Sequence, residues 1–214
     1  MAEMEGTAKA GRPRLYSYWR SSCSHRARIA LNFKGVEYEY KAVNLLKGEQ
    51  SDPGGLYLED KYPSPPLLPQ DPKKKALNHQ IANIVSSGIQ PLHNLTVLVS
   101  ILYNFLAYVI LHRFIDQKIG AGESVSWTQQ QIERGFTAIE NLIQLKGCAG
   151  KYATGDEVQL ADVFLAPQIF AAIERTKIDM SNYPALARLH DEYMGHPAFQ
   201  AALPDRQLDA PSST

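Results

Sequence analysis

The stretch LYSYWRSSCSHRARIAL, residues 15–31, changes character in its middle. Its first five residues, LYSYW, are rich in aromatics and read as a short strand at 15–19. The strand gives way at Ser21-Ser22-Cys23 to a helical pattern over 22–33, with Ala27, Ala30, Leu31 and Phe33 available for a buried side. Gly35 stands where such a helix stops. Residues 36–43, VEYEYKAV, alternate apolar with charged side chains and read as a second strand. Strand, helix and strand make a βαβ unit, whose crossover is expected to be right-handed.

The junction has chemical consequences. A helix N-terminus exposes unpaired backbone N–H groups and carries partial positive charge. It lowers the pKa of a nearby thiol and holds anions. Ser21, Ser22 and Cys23 therefore suit two jobs: Cys23 as a redox nucleophile, or a serine hydroxyl that activates the sulfur of a thiol cofactor. A plainer reading makes Ser22 a cap and Cys23 a small core residue. Thioredoxin-type redox chemistry wants a second cysteine at the fourth position of the motif, and Arg26 occupies it.

Composition narrows the class. Lys plus Arg equals Asp plus Glu, 22 against 22, so net charge offers no attraction to nucleic acid or an anionic membrane. Lys73-Lys74-Lys75 reads as a solvated helix face. The two cysteines, Cys23 and Cys148, are too few for a disulfide scaffold and indicate a reducing compartment. The first residues, MAEMEGTAKAGRPR, resemble neither a signal nor a transit peptide, which makes the cytoplasm the expected location. The six histidines are scattered without ligand spacing, so no metal site is expected.

Beyond the βαβ unit, residues 44–66 are dominated by turn-forming and polar residues, and only LYLE at 56–59 has any pattern. Two strands alone are marginal, so the unit is short of partners. From Pro66 the chain reads as helical. Asp71 caps a helix with Pro72 at its first position, and Gly88 and Pro91 predict a kink or break. Ser126 and Gln129 form a capping box ahead of Ile132, Phe136, Ile139 and Ile143. Further helices are expected over about 160–174, and from Asn182 and Pro184 to near Gly195. Residues 95–111 carry no charge and reach the length of a short membrane span. Thr96, Ser100, Asn104, Tyr108 and His112 recur every four residues, however, so a polar stripe favours a core or interface helix over a membrane span.

The segment YSYWRSSCSHRARIAL resembles the active-site segment of zeta-class glutathione transferases, the maleylacetoacetate isomerases. The resemblance continues through KGVEYEYKAVNLLKGEQ, KYPSPPLLPQDPKKKALNHQIANIVSSGIQPLHNLTVL and CAGKYATGDEVQLADVFLAPQIF, and the tail LPDRQLDAPSST looks most like plant members. It implies an α+β, two-domain glutathione transferase fold: a truncated thioredoxin-like βαβ domain at 1–66 and an all-α bundle at 67–214. It further implies a homodimer that binds glutathione and a small electrophilic substrate, isomerises maleylacetoacetate in tyrosine catabolism, and dehalogenates small α-halo acids. By resemblance, Ser21 stabilises the glutathione thiolate, with Ser22 and Cys23 beside it. Ser24, His25 and Arg26 complete the cofactor-lining stretch, and Gln90, Asn94, Leu95 and Thr96 approach from the helical part. Arg20, Arg26 and Arg28 are candidates for a dianionic substrate, because guanidinium matches carboxylate.

Two departures from the resemblance stand out. GEQSDPGG runs almost directly into LYLEDKYP, leaving out the family's cis-proline turn, two antiparallel strands and a helix, and residues 98–112 look inserted. A non-catalytic helical protein that binds a ligand or partner is the alternative reading. Gln159, three residues before Asp162, is also a weaker cap than the family's Ser or Thr, by about 1 kcal/mol.

Overall fold

The computed structural model describes residues 12–43, 62–93, 124–144 and 150–211. Readings that fall on LYLE, on Asn94, Leu95 and Thr96, on the apolar segment 95–111 and on Cys148 lie outside the described residues.

The βαβ unit is present. Strands β1 (Arg14–Ser17) and β2 (Glu39–Ala42) pair in parallel, with Arg14 opposite Glu39 and Ser17 opposite Ala42. A parallel pair needs a crossover, and helix α1 (Ser22–Phe33) supplies it. Both strands are shorter than their patterns, because the chain turns through Trp19 and Arg20 to reach the cap at Ser21. Gly35, at φ +63°, takes the left-handed position that ends α1.

The buried side of α1 differs from the expected set. Ser22, His25, Arg26, Arg28, Ile29, Ala30 and Leu31 are buried, whereas Ala27 and Phe33 are only half-buried. The helix is covered on more than one side: Arg28 reaches the β1 hydroxyl of Ser17, and Ile29 and Ala30 enter the core shared with the later helices. A helix wrapped this way sinks polar residues along with apolar ones, which a single-stripe reading misses.

Helix α2 (Pro72–Asn83) starts at Asp71, whose carboxylate accepts from the Lys74 N–H at 2.8 Å. No break follows at Gly88. The chain winds as a π-helical turn over Ile84–Ile89 and continues into α3 (Gln90–His93). Pro91 falls at the second position of α3, where a missing N–H is tolerated.

Helix α4 (Ser124–Gln144) places Ser126 inside its first turns rather than at a cap. Gln129 turns away from Ser126 and donates to the Thr176 carbonyl at 2.7 Å. Ile132, Phe136, Ile139 and Ile143 are buried at the expected helical spacing. A Cβ on Gly135 of α4 would lie 2.3 Å from Ile89, so this glycine permits close approach of the π-helical turn.

Helices α5 (Leu160–Thr176), α6 (Pro184–Gly195) and the short α7 (Pro197–Gln200) complete the described structure. The start of α5 is not weak. Asp162 reaches back to the Gln159 N–H at 2.8 Å, while Asn78 of α2 accepts from the Ala161 N–H at 2.9 Å. The same Asn78 amide donates to the Gln159 side-chain oxygen at 2.7 Å, so a second helix does the work of the missing Ser or Thr. Among the described residues no helix is long and apolar enough to cross a membrane.

Candidate functional site

The turn between β1 and α1 is held by short-range hydrogen bonds. The Ser21 N–H donates to the Tyr18 carbonyl at 3.0 Å, and Ser21 Oγ accepts from the Ser24 N–H at 3.2 Å. Ser24 Oγ in turn accepts from the Tyr18 N–H at 3.3 Å. Ser21 is thus the cap of α1; it is buried, and accepting through its oxygen leaves the hydroxyl with a donor to offer. The first turn of α1 carries no acidic residue, so the positive end of the helix is not neutralised from within.

Ser22 is buried, and its Oγ has no hydrogen-bond partner among the described residues. Cys23 is exposed, and Gln90 of α3 donates through Nε2 to its sulfur at 2.7 Å. The π-helical turn before Gln90 is wider than an α-turn and rotates the following residues relative to a continued α-helix. Cys23 and Gln90 are therefore brought together, although they come from opposite sides of the 66/67 boundary expected from sequence.

The arginines divide by role. Arg28 is fully buried: Nε donates to the Ala202 carbonyl at 3.1 Å, Nη1 to Ser17 Oγ at 3.0 Å, and Nη2 to the Trp19 carbonyl at 3.2 Å. It ties the turn to the C-terminal segment, and its donors are spent on that. Arg20 is exposed, and its carbonyl accepts from Arg175 Nη2 at the end of α5. Arg175 was not singled out in sequence, where a cation in a last helical turn reads as a dipole partner. Burial and the neighbouring Arg20 push it down to about 10. Arg26 is buried with its guanidinium 4.4 Å from the Phe164 ring centre, and its Nε and Nη2 have no hydrogen-bond partner among the described residues.

His25 packs edge-on against Phe170 of α5, with ring centres 6.0 Å apart. Burial, then the charges of Arg28, Arg175 and Arg26, push it down to about 3, so it is neutral near pH 7. A cavity of about 580 Å³ lies at the far end of α1, lined by Asn32, Phe33, Val36, His196 and Ala198, away from Cys23. Among the described residues no group of three His, Cys, Asp or Glu could hold a metal ion.

The chain's likeness to known proteins agrees with this arrangement. Residues 13–75 match the glutathione S-transferase N-terminal domain family. Glutathione S-transferase Z1 of Arabidopsis thaliana is 49% identical over 227 residues, covering 94% of this chain and 96% of that protein. That span exceeds the 214 residues of the chain, so the relative carries residues with no counterpart here. A zeta-class glutathione S-transferase of Euphorbia esula is 49% identical, covering 94% of each. Maleylacetoacetate isomerase from Anaeromyxobacter dehalogenans 2CP-1, crystallised with dicarboxyethyl glutathione and citrate in its active site, has a TM-score of 0.76 and 35% identity over 92% of this chain and 93% of that one. The small parallel sheet, the helical remainder and these likenesses define a glutathione transferase fold with a thioredoxin-like N-terminal domain, and the chain belongs to the zeta class of glutathione transferases, the maleylacetoacetate isomerase family.

Proposed function

We propose that the chain is a glutathione-dependent cis–trans isomerase that converts maleylacetoacetate to fumarylacetoacetate in tyrosine catabolism. It acts as a cytoplasmic homodimer, with dehalogenation of small α-halo acids as a further reaction. The observation that carries this reading is the Ser21 hydroxyl, held as the cap of α1 with a donor to offer. The site suits a thiolate: it is a helix N-terminus without acidic residues, capped by the Ser21 side chain. The crystallised Anaeromyxobacter relative, with a glutathione conjugate in its active site, supports the same choice of cofactor.

Bound glutathione supplies a thiolate that adds reversibly to the cis double bond, allows rotation about the resulting single bond, and leaves as the trans bond re-forms. The chain's own residues have three tasks. Ser21 donates its hydroxyl proton to the sulfur and so favours the charged form. The N-terminal N–H groups of α1 add their dipole to that effect. Gln90 and Cys23, joined by their hydrogen bond, fix the wall opposite Ser21. Ser24, Asn94, Leu95 and Thr96 are assigned to the rest of the cofactor surface, and neutral His25 holds α1 against α5 behind it.

The thiolate absorbance of glutathione titrated against pH on the protein tests this assignment. The wild type is expected to lower the thiol pKa, Ser21→Thr to keep the shift, and Ser21→Ala to lose it. An unchanged shift in a folded Ser21→Ala protein contradicts the role given to Ser21.

A further inference from the structure

The first turns of α1 hold buried polar atoms that have no hydrogen-bond partner among the described residues. Ser22 is 2% exposed and its Oγ makes no hydrogen bond; Arg26 is 9% exposed and its Nε and Nη2 make none. They stand four residues apart on one helix, hence one above the other on the same face. Unpaired donors on a buried guanidinium are costly, because desolvation of a charged group is not offset. A fold tolerates that where something outside the chain completes the pairing.

The identity of the free atoms narrows what completes it. Nε and Nη2 lie along one edge of the guanidinium and point two parallel N–H bonds the same way, which matches the two oxygens of a carboxylate. Phe164 of α5 packs against the guanidinium at 4.4 Å and fixes its plane. No acidic residue occupies the first turn of α1 to claim the charge. Arg26 lies three residues after Cys23 on α1, one turn along the same helix from the proposed thiol site. Arg28 cannot take this part, since its donors are engaged by Ser17, Trp19 and Ala202.

We propose that Arg26 and Ser22 form a carboxylate subsite next to Cys23, the guanidinium edge gripping both oxygens and the hydroxyl donating to one of them. The inference rests on the glutathione reading above. The carboxylate has two possible sources, the acidic substrate or glutathione itself, and the chemistry of recognition is the same for both.

Calorimetric titration of the full chain with maleate, and separately with S-methylglutathione, tests the subsite and tells the sources apart. Arg26→Met is expected to weaken one of the two by about 10- to 100-fold, the loss of a charge-assisted pair of hydrogen bonds. Loss confined to maleate assigns the subsite to the substrate; loss confined to S-methylglutathione assigns it to the cofactor. Arg26→Lys recovers part of the affinity, since charge is kept and the fork is lost. Ser22→Ala is expected to weaken the same ligand by a smaller factor. The unliganded Ser22→Ala protein should melt at or above the wild-type temperature, because it removes a buried hydroxyl with no partner; a structural role for Ser22 gives the reverse. If Arg26→Met does not melt cooperatively, Arg26→Lys and Ser22→Ala carry the test, and affinities unchanged in both overturn the subsite. Wild type that binds S-methylglutathione, with Arg26→Met binding both ligands unchanged, overturns the subsite and leaves the glutathione reading standing. Wild type that binds neither ligand overturns both.

Discussion

At the scale of single residues, two buried ionisable groups act in opposite directions. His25 has its pKa depressed from 6.5 to about 3 by burial and then by Arg28, Arg175 and Arg26. Between those values the unfolded chain takes up a proton that the folded chain refuses, so His25 makes stability fall as the pH drops below 6.5. Asp162 is raised from 3.8 to about 6 by burial, against hydrogen bonds from Ala153, Gln159 and Tyr193 that favour its charge. Between 6 and 3.8 the folded chain is the better proton acceptor at this site, so Asp162 makes stability rise as the pH falls. The two partly cancel. Replacing His25 by Gln should leave a protein whose melting temperature rises on acidification from pH 6 toward 4, whereas the wild type stays flatter; melts followed by circular dichroism across that range check it. Identical pH profiles for the two proteins contradict the assignment. The arginines show what a sequence can and cannot disclose at this scale. Arg26 and Arg28 lie two apart on a visible helix, and both were legible as anion candidates. Only the packing separates them, because Arg28 is spent on Ala202, Ser17 and Trp19, residues that become its neighbours through folding.

At the scale of elements, local signals marked some helix starts and missed others: the Ser126–Gln129 box falls inside α4, which begins at Ser124, and α5 is capped from afar. Asp71-Pro72 and the Ser21 junction carry their own caps, and both helices begin there. The start of α5 has Gln159 at the cap position and looked weak, yet Asn78, some eighty residues earlier, closes the Ala161 N–H. That residue is fully buried, and its amide also meets Thr154 and Gln159. Asn78→Ala leaves the buried Ala161 N–H without its acceptor and should cost about 1–3 kcal/mol; a denaturant midpoint close to wild type contradicts this role. Gly88 and Pro91, poor helix residues, were read as a kink or break; the chain takes a π-helical turn over Ile84–Ile89 there, and burial of Val85 and Ile89 keeps it helical. Gly135 is the counterpart on α4. Gly135→Ala forces the new methyl against Ile89 and should cost about 1–3 kcal/mol despite the better helix propensity. Stabilisation by that substitution contradicts the close approach.

At the scale of the whole molecule, the C-terminal segment holds the site's turn in place. The Asp209 carboxylate accepts from the Trp19 N–H at 3.0 Å and from the Tyr40 hydroxyl at 2.5 Å, and Arg28 reaches the Ala202 carbonyl. Asp209→Ala should therefore speed hydrogen exchange at the Trp19 amide before it changes exchange in α6; equal rates at Trp19 in both proteins contradict the strap. Periodicity could not have shown this contact, since it spans 190 residues between a turn and a tail. The composition of 44–66 reads as short of strands; the described sheet has two strands, and residues 44–61 lie outside the described residues. The longer aligned span with the Arabidopsis relative agrees with a chain that has lost residues. That loss bears on whether glutathione is gripped along its length, and it makes one measurement decisive. Isomerisation of maleylacetone should be followed with and without glutathione, on protein shown to melt cooperatively, with total thiol counted before and after. The account predicts turnover that requires glutathione, leaves the thiol count unchanged, and falls by about a hundredfold or more in Ser21→Ala. Folded protein that shows no glutathione-dependent turnover contradicts it.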